Sequence, residues 1–412
     1  MAGDPQGVQA FYERMPYPAP LANLDKNLAL LKSPERRRIR SLLMFPSGEP
    51  EHRQTILVAG CGTSQAAKVA LREPEAHVLA IDISATSLDH ERALKEKYAL
   101  ENLELRQMSL LDVASLGVVF DQIICTGVLH HLPDPDAGLL RLREVLAPEG
   151  AMQIMVYASY GRAGIYLMQE YCRRLGIEAS DQELDALGAT LKCLPDDHPL
   201  GWMLYRFKDF THPDALADAL LHPQDRAYTV PQIYEWLDRC GLSFGRWLEQ
   251  APYLPQCGAI ARTPHAERLS ALPAPEQHAA AELFRGAITH HSFVAYRTDR
   301  TKIAQPVQFT GDQWRNYLPV RLPWTTIVRE QLPAGSVAVL LNPVHKHPDL
   351  VLPVNTMENR MFAQIDGKRT FGDIAESYSQ KDVVGRVRPF FEKLWRYDQI
   401  VVDASRTPDM TS

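Results

Sequence analysis

With 412 residues the chain is too long for one ordinary domain, and two or three domains are expected. A hydrophobic fraction of 45% with 23% charged residues is that of a globular protein, and a formal charge of -6 provides no general field for polyanions, so nucleic acid is not an expected partner. Cys61, Cys125, Cys172, Cys193, Cys240 and Cys257 are scattered with no C-x-x-C pair, which indicates neither a zinc site nor a disulfide framework and points to a reducing, cytoplasmic setting.

The opening MAGDPQG lacks a basic and apolar leader, and no run approaches the ~20 apolar residues needed to span a bilayer, so no membrane contact is expected. Residues 1–50 read as a helical cap. A short helix in VQAFYERMPYPAP is broken by Pro16, Pro18 and Pro20, then come a leucine-rich helix and PERRRIRSLL. Phe11, Tyr12 and Tyr17 read as a hydrophobic anchor for this cap, or else as an aromatic wall facing a cationic ligand. Arg36, Arg37, Arg38 and Arg40 read as a solvated helix face rather than an RNA contact.

From 51 to 160 apolar runs alternate with helical stretches: ILVAG, HVLAID, LELRQM, FDQIICT and MQIMVYA as strands, with Ala66 to Leu71, Leu88 to Tyr98 and Leu139 to Leu146 as helices. Such alternation makes a parallel sheet covered on both faces, with ligands at the carboxyl ends of the strands. Asp136 is expected to cap a helix and Gly150 to stop one. Within Ile56 to Ala67, Gly60 and Gly62 let the backbone turn sharply enough for a ligand to reach bare amides. Asp82 follows after the ~20 residues that set a carboxylate against a ribose diol. Gln65 stands where a dinucleotide fingerprint has its third glycine, and its side chain crowds a pyrophosphate.

The stretch Ile56 to Ser64, with Asp82, FDQIICTGVLHHLPDP (Phe120 to Pro135) and LAPEGAMQIMVYA (Leu146 to Ala158), resembles four successive motifs of class I S-adenosylmethionine-dependent methyltransferases. The resemblance implies a Rossmann-like α/β fold with a seven-stranded sheet and S-adenosyl-L-methionine as cofactor. It implies that Gly60, Cys61 and Gly62 face the methionyl part, that Asp82 takes the ribose hydroxyls and that Ile83 packs on adenine. Ser109 and Leu110 would border the adenine edge, while Thr126 and Gly127 would flank the sulfonium. Val58 stands where many members carry an acid, so the ammonium would be held by backbone carbonyls.

His130 and His131, just past the fourth strand, are candidate catalytic residues together with Tyr157. One imidazole could take a proton from the acceptor, or the pair could simply line the pocket. Arg162 suits either a substrate carboxylate or phosphate or a helix-start salt bridge. The fourth motif is not of the N/D-P-P-Y type that holds a planar amino group, which argues against base or amide nitrogens as acceptors.

Residues 161–240 are expected to form a helical substrate lid. Residues 241–300 should carry the last strands of the sheet, since GLSFGRWLE and HHSFVAYR resemble the family's sixth and seventh. For 301–412, two helices, a turn and a short strand suggest a winged-helix-like α+β module. IDGKRTFGDIAE resembles small winged-helix peptide-recognition domains of the pyrroloquinoline-quinone chaperone type, which implies a peptide or protein contact. His345 and His347 have ligand-like spacing but no third ligand nearby, so no metal is expected. The expected activity is methyl transfer to a small molecule. The alternatives are a methyltransferase of a protein or ribosomal peptide recruited by the C-terminal module, and a non-catalytic cofactor-binding or regulatory protein.

Overall fold

The computed structural model describes residues 5–206, 210, 212–300, 307–379 and 383–405. Its main sheet is built on five parallel strands: β1 (Thr55–Ala59), β2 (His77–Asp82), β3 (Leu103–Gln107), β4 (Phe120–Thr126) and β5 (Leu146–Ala158). Ile56, Leu57 and Val58 are fully buried, as an apolar run must be when helices cover both faces of its sheet. A two-residue strand, β6 (Ala227–Tyr228), pairs in parallel beside the end of β5. β7 (Leu242–Trp247) and β8 (His290–Arg297) complete the order β3-β2-β1-β4-β5-β8-β7, with β8 antiparallel to β5. This is the mixed sheet that the sequence motifs imply.

Two local expectations are corrected. The helix Pro135–Val145 is capped by Asp134, which accepts from the Ala137 amide at 3.0 Å, whereas Asp136 pairs with Arg239 at 3.1 Å. Pro135 suits the first helical position because its missing N–H would have had no partner there. Gly150 stops no helix, because it lies inside the thirteen-residue β5. A Cβ there would sit 2.8 Å from Leu146 Cδ1 and 2.9 Å from the Asp121 carbonyl, so close approach of neighbouring chain is what requires glycine.

Contacts group the chain into two compact units. The first holds Met1–Lys32, His52–Phe244 and Gly286–Asp299, and the second Ser33–Glu51, Gly245–Arg285 and Arg300–Ser412. In the first unit the helices Ala163–Leu175, Asp181–Leu191 and Pro213–Leu221 bury Ile165, Met168, Leu184, Leu187, Leu216 and Leu220 in one cluster. Phe11 and Met15, in and just after the helix Pro5–Arg14, join that cluster, so the N-terminal segment and the helical insertion share a core.

The second unit has an antiparallel sheet of β10 (Thr326–Val328), β11 (Ala338–Leu341) and β12 (Val351–Val354), and a separate pair in which β13 (Ile400–Asp403) runs beside β9 (Leu318–Arg321). Its helices Thr356–Ala363 and Phe371–Ala375 begin with capping boxes, Asn355 with Glu358 and Thr370 with Asp373. With Arg388–Arg396 they close over Trp314, Phe362, Phe371, Phe391 and Leu394. The arginine-rich helix Pro34–Met44 belongs to this unit. Ile39 and Leu42 pack with Val320, Leu322 and Val401, Arg38 reaches Asp403 at 3.4 Å, and the Arg36 guanidinium lies over the Trp324 ring. His345 is tied to Asp398 at 3.0 Å within the same unit.

Candidate active site

The motif residues fall at one edge of the main sheet, at the carboxyl ends of β1, β2, β4 and β5. Leaving β1, the chain passes through Gly60 and Gly62 with φ of +73° and +54°. A Cβ on Gly60 would lie 2.3 Å from Val128 Cγ2, so both its conformation and its neighbour exclude a side chain. The Gly60 and Cys61 amides donate to the Ile81 carbonyl at 2.8 and 3.1 Å, which pins the turn to the end of β2. Asp82 completes it by accepting from the Gly62 amide at 2.8 Å and from the Ser84 amide at 3.0 Å. A carboxylate has about four acceptor positions, so two remain for a diol. Burial raises the Asp82 pKa against the opposing pull of these amides.

Behind the turn, the fully buried Glu91 accepts from the first amides of the helix Gln65–Arg72, Ala66 at 2.7 Å and Ala67 at 3.0 Å. Burial pushes its pKa up to about 8. Gln65, which crowds the third-glycine position, instead donates to Thr126 Oγ1 at 2.8 Å and ties the turn to the end of β4. Ser109 caps the short helix Leu110–Leu116 and Leu110 is buried, while the Ile83 carbonyl accepts from Gln107 at 3.1 Å. Gly127 follows β4 with φ of +77° and donates to the Met155 carbonyl.

The N-terminal helix closes over this edge. Glu13 accepts from the Ala85 and Thr86 amides at 2.7 and 3.0 Å, satisfying the start of the helix Ala85–Lys97, and Thr63 Oγ1 donates to the Pro18 carbonyl at 2.7 Å. Tyr12 then reaches Asp218, to which its hydroxyl donates at 3.1 Å. The other oxygen of Asp218 accepts from Tyr157 at 3.2 Å, so one buried carboxylate gathers two phenols. Burial raises the pKa of Asp218, and burial together with the Asp218 charge raises both tyrosines.

His130 and His131 sit in a single helical turn, Leu129–His131, and both are buried. The His130 ring lies 3.9 Å from Tyr157 and 4.2 Å from His131, and His131 lies 3.9 Å from His222, centroid to centroid. Burial lowers the pKa of His130 well below the usual value and lowers that of His131, so both are held neutral. His131 Nδ1 donates to the Gln224 carbonyl at 2.7 Å, whereas neither nitrogen of His130 meets a hydrogen-bond partner among the described residues. Each such unmade bond costs about 1–3 kcal/mol in a buried site. Arg162 resolves to the salt bridge: it pairs with Asp225 at 3.1 Å and lies 3.5 Å over the Tyr157 ring.

Asp218, His222 and Asp225 escaped sequence reasoning. They come from the helical insertion, where no spacing marks them, and only the fold brings them to His130, His131 and Tyr157.

Residues 57–152 match the family described as "Methyltransferase domain". That stretch of the chain is a methyltransferase domain. The chain is 34% identical over 281 residues to an uncharacterised protein of Synechococcus sp., covering 65% of this chain and 66% of that one. Over 110 residues it is 36% identical to trans-aconitate 2-methyltransferase of Deinococcus radiodurans, where the match takes in 26% of this chain and 40% of the relative's length. Its fold is similar to that of PKMT2 from Rickettsia typhi, solved in complex with AdoHcy, with a TM-score of 0.65 over 94% of this chain and 77% of that one at 15% identity. Among the described residues no helix is long and apolar enough to cross a membrane.

Proposed function

We propose that the protein transfers the methyl group of S-adenosylmethionine to a small-molecule acceptor held beside Tyr157, His130 and His131. The glycine turn that admits no side chain at Gly60, and the two unused acceptor positions of Asp82, fit the cofactor's methionyl and ribose parts. When bound, it supplies a methyl on a positively charged sulfur that is already activated toward in-line attack. The chain's part is chiefly to hold the acceptor in line, which supplies ~7 to 11 kcal/mol.

The observation that carries this reading is the Tyr12, Asp218 and Tyr157 arrangement at the ends of β2 and β5. A buried carboxylate with two phenols can orient an acceptor hydroxyl or amine and receive the proton it sheds. The histidines are poor stores for that proton, because burial disfavours imidazolium. Ser109, Leu110, Ile83, Thr126, Gly127 and Cys61 are assigned to the cofactor pocket as the family resemblance implies. Labelling a cell extract with tritiated methyl donor and the purified protein tests the proposal. Counts should appear in the small-molecule fraction, and label confined to protein, peptide or RNA would refute it.

A second reading, a peptide or protein acceptor recruited by the C-terminal unit, is favoured by one feature. A cavity of about 480 Å³ is lined by the apolar Met357, Met361 and Phe390 together with Glu358, Arg386 and Lys393. Lys393→Glu should leave small-molecule turnover unchanged and abolish methylation only if this reading holds.

A further inference from the structure

We propose that His130, His131 and Asp225 bind a divalent transition-metal ion, Zn²⁺ in the first place, beside the methyl-transfer site. Each residue offers one ligating atom, and the three atoms lie within 4.8 Å of one another. Ligands at ~2.0–2.1 Å from a tetrahedral zinc are about 3.3 Å apart, so the widest edge has to close by roughly 1.5 Å, within reach of side-chain rotation.

The surroundings prepare each group for this role. His131 Nδ1 donates to the Gln224 carbonyl, which fixes the tautomer and leaves a lone pair on Nε2, the usual outer-shell arrangement of a ligating histidine. Asp225 receives Arg162 at 3.1 Å and Gln169 at 2.9 Å on Oδ2, while its buried Oδ1 has no partner among the described residues. His130 is fully buried with neither nitrogen satisfied, and a bound cation would answer that directly. His222 is excluded as a ligand in this arrangement. Its Nδ1 accepts from the Gln224 amide at 3.0 Å, so Nε2 carries the proton and is left as a donor toward whatever the metal holds.

Two histidines and one carboxylate leave coordination positions open, the pattern of a site that binds a substrate rather than only bracing a fold. Arg162 balances the charge of Asp225, so the added cation calls for an anionic ligand. The acceptor is accordingly a compound with an ionisable oxygen, such as a hydroxy acid or a phenol, bound to the metal through that oxygen. This last step rests on the proposed methyl transfer, whereas metal binding does not.

The test is a titration of the chelator-stripped, full-length protein with Zn²⁺ alone, and with Co²⁺ alone for its visible ligand-field bands. One equivalent of metal, intense tetrahedral Co²⁺ bands, and at least a 10-fold loss of affinity in both His130→Gln and Asp225→Asn support the site. Absence of stoichiometric binding to the wild-type protein overturns it whether or not the variants fold, and so does binding that neither substitution weakens. Metal removal should abolish methyl transfer while AdoHcy affinity stays within twofold. Turnover that survives stripping overturns the acceptor assignment, and a protein that methylates nothing leaves the metal readout intact.

Discussion

Replacing Asp82 with alanine tests the proposed contact between this carboxylate and the cofactor ribose. Two of its acceptor positions are taken by the Gly62 and Ser84 amides, which leaves two for the ribose hydroxyls. Hydrogen bonds to a charged acceptor contribute about 1.5–3 kcal/mol each, so losing both predicts a weakening of AdoHcy binding of roughly 10²- to 10⁴-fold. The substitution also strands two amides at about 1–3 kcal/mol each, which lowers the melting temperature without ligand. Asp82→Asn keeps the volume and one acceptor oxygen and should fall between alanine and wild type on both readouts. Calorimetry with AdoHcy reports the first effect, and ligand-free thermal unfolding reports the second. An Asp82→Ala protein that melts lower but binds AdoHcy with wild-type affinity would show that the carboxylate only braces the turn. Because burial raises the Asp82 pKa, the carboxyl takes up its proton at a higher pH than an exposed aspartate does. The protonated form accepts fewer hydrogen bonds, so AdoHcy affinity should decline as pH is lowered, beginning above the ordinary aspartate range.

Gly60→Ala puts a methyl 2.3 Å from Val128 Cγ2 at a φ of +73°, so a loss of about 2–4 kcal/mol in denaturant unfolding is expected, with weaker AdoHcy binding. Glu91→Gln removes one of the two acceptors at the start of the helix Gln65–Arg72 and should cost about 1–3 kcal/mol. The folded pKa of Glu91 lies near 8, above its unfolded value, so wild-type stability should fall as pH rises from ~4.3 toward 8, and this slope should be shallower in Glu91→Gln. An unchanged slope would mean that Glu91 is ionised throughout. Asp218→Asn should lower turnover at least 10²-fold while AdoHcy affinity stays within twofold, and a variant that turns over normally would remove Asp218 from the proton's path.

What the sequence disclosed depended on how local the physics is. The turn at Gly60 and Gly62 and the acid at Asp82 were legible because a ligand-admitting loop needs glycine and a strand-end carboxylate a short distance apart along the chain. The strands were legible as apolar runs, but β5 was cut short, since APEG reads as a turn when nothing shows that Gly150 lies against Asp121. The grouping of Ser33–Glu51 and Gly245–Arg285 with the C-terminal residues was not legible, because it depends on distant packing such as Ile39 and Leu42 on Val320 and Val401. Asp218 and Asp225 were invisible for the same reason: Tyr12 and Asp218 are 206 positions apart, and no periodicity links them.

That separation has a consequence during biosynthesis. Tyr12 emerges from the ribosome long before the carboxylate it donates to, and at ~5–20 residues per second the interval is about 10 to 40 s. Throughout it Phe11 and Met15 also lack Leu216 and Leu220, so the leading helix is an exposed apolar segment within reach of holdase chaperones until the insertion has been made.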